Sequence, residues 1–267
     1  MTTRRAGVVL AMLVVAAAAV PAAALTGREV IDSAQEKNGY STWHDRKVSA
    51  TMESYDKDTL ARTRELNVTE QTDPRGEHRT FLEFTGPHDV QDTLFLHLSP
   101  RGEKDQQWVW TPATRKARRL GEAQQDENFF GTDLSYRDLE LLVRIQQWND
   151  SESSAKLAAD EAIGGKSCHV VDLVPKNVEF SYSRYKLWFG TNDALLWRVD
   201  VFDAEDRVVK RITLDHYQRF DRYATPMESN IANVQADTHT MFRLRDVRYD
   251  KGVDESLFSL SNLSRGR

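Results

Sequence analysis

From residue 46 onward, apolar and polar side chains alternate with a period of two, which is typical of half-buried β-strands. In the first such stretch Val48, Ala50 and Met52 alternate with lysine, serine and threonine. Short turn sequences such as DPRGE, TGPHD and GTND separate the stretches. We count about 11 to 13 strands in this way, with no internal repeat, low-complexity tract or linker between them. The pattern therefore predicts one continuous antiparallel sheet.

Two stretches have helical periodicity instead. The first follows Thr26 and Glu29, which have the spacing of a capping box, and ends at Gly39. The second follows a Phe-Phe-Gly loop, where Asp133 or Ser135 can cap a helix. Its predicted apolar face consists of Leu139, Leu142, Val143 and Ile145.

These helices are expected to cover the apolar face of the sheet. Trp197, Val199 and Val201 alternate with Arg198 and Asp200, so one face reads as apolar and the other as charged. A strongly curved sheet of this size encloses a space that its own side chains fill incompletely, and small barrels of this kind hold apolar ligands. The pattern thus predicts a mainly β (α+β) protein in which the helices plug or cover the concave face.

The N-terminus indicates export. MTTRR is a short positive region, AGVVLAMLVVAAAAV is apolar, and three alanines at 22–24 offer a cleavage site. We therefore expect residues 1–24 to be a cleaved secretory signal peptide and residues 25–267 to form a single domain.

The charge balance argues against nucleic acid as a partner. The chain has 36 basic and 41 acidic residues and a formal charge of -5, so no net positive field favours phosphate binding. One local run is basic, namely Arg115, Lys116, Arg118 and Arg119, after two tryptophans on a neighbouring strand. It fits an edge strand with solvated charges, or a rim that contacts anionic head groups or an acidic partner.

The sequence predicts no catalytic residue, no metal site and no cofactor. The seven histidines are scattered, and neither H-E-x-x-H nor G-x-S-x-G is present. The single cysteine, Cys168, excludes an internal disulfide, and its neighbour His169 points to the other face of the strand. The two side chains therefore cannot act as a nucleophile and its base.

Longer motifs carry a family resemblance. FTGPHDVQDTLFL, WVWTPATRKARRL, YSRYKLWF, LLWRVDVFDAEDRVVK and MFRLRDVRYDKGVDESLFSLSNL occur in this order. The most specific segment is FFGTDLSYRDLELL, which places glycine, a small residue and aspartate after phenylalanine and ahead of a helix. Over residues 26–262 the chain resembles the LolA-like, outer-membrane lipoprotein-sorting protein superfamily, and in particular its larger branch. Asp92 departs from the glycine that is frequent there.

The resemblance implies an unclosed, or half, β-barrel with helices covering the opening. It implies a periplasmic carrier that binds acyl chains of lipids or lipoproteins and shuttles them between inner and outer membrane. We expect the protein to be a monomer. Its partners would be an inner-membrane exporter or release complex and an outer-membrane acceptor. The alternative is a periplasmic interaction module, accessory to an exporter of the resistance-nodulation-division type, without cargo of its own.

For the carrier, the candidate residues are large apolar side chains on the strands and in the helical cover. The expected lining is Phe84, Leu94, Leu96, Trp108, Trp110, Leu187, Trp197 and Val199, and the expected lid is Phe129, Phe130, Leu139 and Leu142.

Overall fold

The computed structural model describes residues 24–40, 42–73, 76–100, 103–139, 149–176 and 182–266. The predicted signal peptide lies almost entirely outside these ranges. Within them, 14 strands form one antiparallel sheet that is not closed into a barrel, so the predicted fold class is confirmed. The strands are β1 Asp45–Asp56, β2 Thr59–Thr72, β3 His78–Gly86, β4 Leu94–Ser99, β5 Gln106–Thr111, β6 Lys116–Arg119, β7 Ser153–Leu157, β8 Glu161–Ile163, β9 Lys166–Pro175, β10 Arg184–Gly190, β11 Leu196–Phe202, β12 Val208–Phe220, β13 Tyr223–Asn233 and β14 Thr238–Tyr249.

The strand order gives the sheet two edges that are far apart along the sheet. It runs β6-β5-β4-β3-β2-β1-β14-β13-β12-β11-β10-β9-β7, with β8 also paired to β9. The chain therefore builds outward from β1 to β6, crosses to β7 at the opposite edge, and returns to β14 beside β1. Residues 120–152 make this crossing, and the described parts of it are 120–139 and 149–152.

The strand count exceeds the expected range by one because AKLAADEAI is two strands. Residues 158–160 leave the ladder between β7 and β8, and both strands pair separately with β9. The break is only three residues long and lies between two polar-rich strands. The spacing of apolar and polar residues therefore does not change there, and the sequence pattern does not reveal the break.

The first predicted helix is confirmed as α1, Gly27–Asn38. The hydroxyl of Thr26 accepts from the Glu29 amide at 3.2 Å, and the Glu29 carboxylate accepts from the Thr26 amide at 2.7 Å. Gly39 ends the helix at φ 68, a conformation that glycine adopts without a steric penalty. The apolar stripe of α1 packs on the sheet through Val30, Ile31 and Ala34.

The other helices are short. α2 is Glu122–Gln125, residues 136–139 form a helical turn (α3), and α4 is Leu260–Arg265, with 3-10 turns at Phe129–Gly131 and Glu255–Phe258. Ser135 caps α3, since its hydroxyl accepts from the Asp138 amide at 3.1 Å and the Asp138 carboxylate accepts from the Ser135 amide at 2.5 Å. Leu142, Val143 and Ile145 lie outside the described residues. No helix in the described ranges is long and apolar enough to cross a membrane.

The two faces of the sheet carry separate apolar clusters. We call the face that contacts α1 and residues 129–136 the inner face. Its cluster includes Leu82 and Phe84 from one end of the sheet and Leu173 and Tyr185 from the other. Since residues from both ends of an open sheet join one cluster, the sheet curves around its inner face. The opposite, outer face has a cluster of its own beneath α4.

Candidate functional site

The inner face forms an apolar floor. Phe84, Leu187 and Val199 are buried in its cluster, together with α1 and residues of the crossing segment. Leu187 and Val199 are directly paired across β10 and β11, which places their side chains on the same face. The sheet thus offers a wide hydrocarbon surface that short pieces of chain cover, instead of a second sheet.

Residues 126–139, which we call the cover segment, place aromatic rings on this floor. The Phe130 ring lies 4.5 Å from that of Phe84, and the Phe129 ring lies 5.4 Å from that of Phe95, edge to face. Tyr136 adds a ring 5.3 Å from Phe129. Offset and edge-to-face pairs at these separations are favourable beyond their buried area. The cover segment is therefore an apolar stopper made of aromatic side chains.

Polar bonds join the cover segment to β14. The hydroxyl of Thr240 accepts from the amide of Asp133 at 2.9 Å and donates to its carboxylate at 2.6 Å, and the hydroxyl of Thr238 donates to the same carboxylate. Asp133, one of the two predicted caps, is thus a tether to the sheet and not the helix cap.

A second polar anchor lies at α3. The buried carboxylate of Asp138 receives the ammonium of Lys210 from β12 and a hydrogen bond of 2.7 Å from the Tyr182 hydroxyl. Burial and the charge of Asp138 raise the pKa of Tyr182, so its hydroxyl remains a donor. The carboxylate of Asp138 is paired with Lys210, accepts from Tyr182 and takes part in the cap of α3. These contacts offset the free-energy cost of burying its charge.

The backbone conformation of the cover segment explains why residue 131 is a glycine. Gly131 adopts φ 75, and a Cβ at this position would lie 2.2 Å from Nη1 of Arg62. Its carbonyl accepts from the Ser54 hydroxyl at 3.2 Å. The turn that points both phenylalanines at the floor therefore requires a residue without a side chain at position 131.

One cation also belongs to the inner face. Arg64 on β2 has the same orientation as Leu66, is 8% exposed, and places its guanidinium 5.9 Å from the ring centre of Phe84. Its Nε and Nη1 atoms have no hydrogen-bond partner in the described part of the chain. Burial, and then the positive charge of Arg62, lower the pKa of Arg64. The alternation along β2 already places Arg64 on the same face as Leu66 and Val68. Arg64 is not among the predicted lining residues, because all of these are apolar.

The structure does not bring all the expected lining residues together. Phe84, Leu187, Val199, Phe129, Phe130 and Leu139 contact the inner cluster. Four others lie on the outer face, where they pack with Phe258 and with Leu263 of α4: Leu94, Leu96, Trp108 and Trp110. Their placement on the concave face was wrong, because Phe95 and Val109 are the inner residues of those strands. Both faces of β4 and β5 are apolar, so alternation alone could not identify the inner one.

Trp197 also lies on the outer side, with Val170 and Trp188. The pairing of β10 with β11 shifts between Trp188↔Arg198 and Phe189↔Leu196, which is a β-bulge. The bulge reverses the alternation at that point, so Trp197 and Val199 face opposite sides although they are two residues apart. The remaining candidate, Leu142, lies outside the described residues.

The basic run forms an edge of the sheet, as expected for solvated charges. β6 pairs only with β5 among the described strands, and the side chains of Arg115, Lys116, Arg118 and Arg119 are exposed. The guanidinium of Arg119 lies 5.7 Å from the Trp108 ring centre. This edge is a positively charged rim beside the end of the inner face.

No set of three or more metal-ligating side chains converges in the described residues. Cys168 is fully buried on the outer face, where burial raises the pKa of its thiol. A buried pair, His97 and Asp105, joins Nε2 to the carboxylate at 2.7 Å, and Ser99 donates to the same carboxylate at 2.9 Å. The serine therefore contacts the acid and not the imidazole, which is unlike the order of a hydrolytic triad.

Comparisons with known proteins agree on the fold. A family model described as an uncharacterised protein matches residues 76–265. A DUF1329 family protein from Desulfovibrio piger is 25% identical and has a TM-score of 0.79, over 88% of this chain and 98% of that chain. An outer membrane lipoprotein-sorting protein domain from Vibrio parahaemolyticus is 20% identical and has a TM-score of 0.78, over 89% of this chain and 97% of that one.

A LolA superfamily protein from Nitrosomonas europaea shares the fold at 13% identity, with a TM-score of 0.68, over 90% of this chain and all (100%) of that chain. No curated protein sequence matches the chain.

Proposed function

We propose that the chain, which belongs to the family of uncharacterised proteins whose model matches residues 76–265 and which shares its fold with an outer membrane lipoprotein-sorting protein domain and a LolA superfamily protein, is a carrier of acyl chains. The inner face binds the hydrocarbon tails of lipids or lipoproteins, and the protein moves them between the inner and the outer membrane. Its place of work is the periplasm, to which the predicted signal peptide would direct it.

The observation that carries this proposal is the kind of cover on the inner face. Aromatic side chains of one segment occupy the floor, and a few polar bonds join that segment to β12 and β14. A hydrocarbon tail in water costs about 0.8 kcal/mol for each exposed methylene. A tail that replaces the aromatic rings on the floor covers the same apolar area, so the two states differ little in free energy and exchange needs no fuel.

The exchange also explains the mixture of contacts at the cover segment. Asp133 and Asp138 bond to hydroxyls and an ammonium that water can satisfy when the segment lifts. The apolar rings, in contrast, lose contact area when they leave the floor. The closed state is thus favoured only while no tail is present.

Lipid extraction tests the proposal. We expect protein purified from its host envelope to release acyl species that mass spectrometry detects, and the stripped protein to bind a fluorescent fatty acid. If repeated preparations contain no lipid and also fail to bind the fluorescent fatty acid, the proposed carrier function is wrong.

Two isosteric substitutions give a matched control. Val199→Thr adds a hydroxyl on the inner face, whereas Val170→Thr adds one at an equally buried site on the outer face. A buried hydroxyl costs on the order of 1 to 3 kcal/mol in either place. We expect both variants to lose stability, but only Val199→Thr to weaken fatty-acid binding, about threefold or more.

The second function is the interaction module, which the exposed cations of the β6 edge favour. In the carrier, the same rim meets an inner-membrane exporter or an outer-membrane acceptor. Replacing Arg115, Lys116, Arg118 and Arg119 by glutamine separates the two roles. If the protein is a carrier, this variant should keep its affinity for the fatty acid and lose transfer to membranes. If it is an interaction module, neither the unchanged protein nor the variant should bind the fatty acid.

A further inference from the structure

We infer that Arg64 binds the acidic group of the cargo, so that the preferred ligands are anionic amphiphiles, with a carboxylate or phosphate at the end of the hydrocarbon tail. This inference rests on the proposed carrier function and adds the chemical class of the head group.

The first support is the state of the guanidinium itself. Arg64 is more than nine-tenths buried, and two of its nitrogens lack a hydrogen-bond partner in the described residues. No described carboxylate forms an ion pair with it, whereas the partly buried Arg46 on β1 is paired with Glu70 at 2.5 Å. An unpaired buried cation is destabilising, and charges buried in proteins are otherwise paired.

The second support is position. The guanidinium lies beside Phe84, whose ring is in contact with Phe130 of the cover segment. A tail that replaces Phe130 on the floor therefore ends next to Arg64. The planar fork of arginine offers two parallel N–H donors, which match the two oxygens of a carboxylate or phosphate.

The third support is the neighbouring charge. Arg62 lies two residues along β2 on the same side of the strand, and its guanidinium lies beside Gly131 of the cover segment. Two guanidiniums that repel each other lower the cost of admitting an anion between them. Asp89 acts on Arg64 in the opposite direction but less strongly than Arg62, and it forms no described ion pair with Arg64. The site is therefore positive at one point of an otherwise apolar floor.

The experiment uses three ligands with the same tail: dodecanoate, dodecyl phosphate and dodecanol. Their affinities are measured by displacement of a fluorescent fatty acid from the stripped protein. We expect both anions to bind about tenfold or more tightly than the alcohol, since only the anions form an ion pair with the guanidinium and can accept from both of its parallel N–H donors. In Arg64→Met we expect the affinity for dodecanol to remain and the preference to fall to about one.

Arg245→Met is the matched control, because it removes the same charge from an exposed position on β14, outside the proposed site. Solvent screens that charge, so we expect the preference to change by less than about twofold. Arg64→Met removes an unpaired buried cation and should unfold at the same or a higher temperature, which circular dichroism checks. A preference near one in the unchanged protein, which needs no variant, overturns the inference.

The same measurements separate the two claims. If all three ligands bind equally and Arg64→Met changes nothing, the head-group site is wrong and the carrier stands. If none binds, the carrier function itself fails and the inference falls with it. Inorganic phosphate and acetate alone should not displace the probe; displacement by either would show a site for small free anions and overturn the assignment to an amphiphile.

Discussion

At the scale of single residues, β2 carries two buried charges with opposite surroundings. Glu70 contacts Arg46 at 2.5 Å and lies 3.8 Å from His78, whereas no described carboxylate forms an ion pair with Arg64. Burial by itself would raise the pKa of Glu70, but the charge of Arg46 and the hydrogen bond of His78 outweigh it and lower that pKa to about 2. Glu70 is therefore a charge that stabilises the fold, whereas Arg64 is the residue to which we assign the proposed anion site.

The lowered pKa of Glu70 predicts how stability depends on acidity. Its contribution is complete above pH 4.5, the ordinary pKa, and is lost as the pH falls from there toward 2. We expect the free energy of unfolding to fall by up to about 3 kcal/mol over this window on account of this group. Urea unfolding at several pH values measures the loss.

The substitution Glu70→Gln should remove that part of the pH dependence and lower stability at neutral pH, because Arg46 then lacks its partner. Glu122→Gln is the control, since Glu122 pairs with Lys104 on the exposed surface. An unchanged acid profile in Glu70→Gln would contradict the assignment.

At the scale of elements, alternation predicted where strands lie but not which face is inner. β1, β9 and the cap of α1 follow from local pattern alone. The faces of β4 and β5 depend on α4, which is distant in sequence and buries Trp108 and Trp110 from outside. The orientation of Trp197 depends on a bulge that appears only when β10 and β11 pair. Local sequence thus specifies the elements, and long-range pairing specifies their faces.

At this scale we predict that the cover segment must leave the inner face before a hydrocarbon tail can bind. Asp133→Cys with Thr238→Cys replaces two side chains in direct contact, and Cys168→Ala removes the native thiol. When this disulfide forms, we expect fatty-acid binding to weaken at least tenfold, because the segment can no longer leave the floor. Reduction of the same sample should restore binding.

A second disulfide is the control for this experiment. Ser49→Cys with Asn67→Cys joins directly paired residues of β1 and β2 that face away from the cover segment. It should leave binding unchanged in both redox states. Undiminished binding by the oxidised Asp133→Cys/Thr238→Cys protein would show that tails enter without movement of the segment.

At the scale of the whole molecule, the pairing of β1 with β14 makes one sheet out of two meanders. The first meander ends at β6 and the second begins at β7, and β1 is hydrogen-bonded to strands of both. α1 strengthens the connection, because its N-terminal Gly27 packs against the backbone of Ala155 in β7. Neither half has a complete core without the other.

This arrangement predicts cooperative unfolding. We expect urea to unfold the stripped protein in one transition, with tryptophan fluorescence and far-ultraviolet circular dichroism changing together. The tryptophans report on both meanders, since Trp108 and Trp110 belong to the first and Trp188 and Trp197 to the second. Two separated transitions would mean that the meanders are independent domains.

The route from β6 to β7 has a further consequence for the shape of what the protein can admit. The described residues 120–139 follow β6 and residues 149–152 precede β7, and these two strands lie at opposite edges of the sheet. Because the connection is covalently attached at both edges, its length limits how far it can move away from the inner face. In the proposed carrier, a slender hydrocarbon tail would fit beneath this connection lengthwise, whereas a folded protein attached to the tail would stay outside.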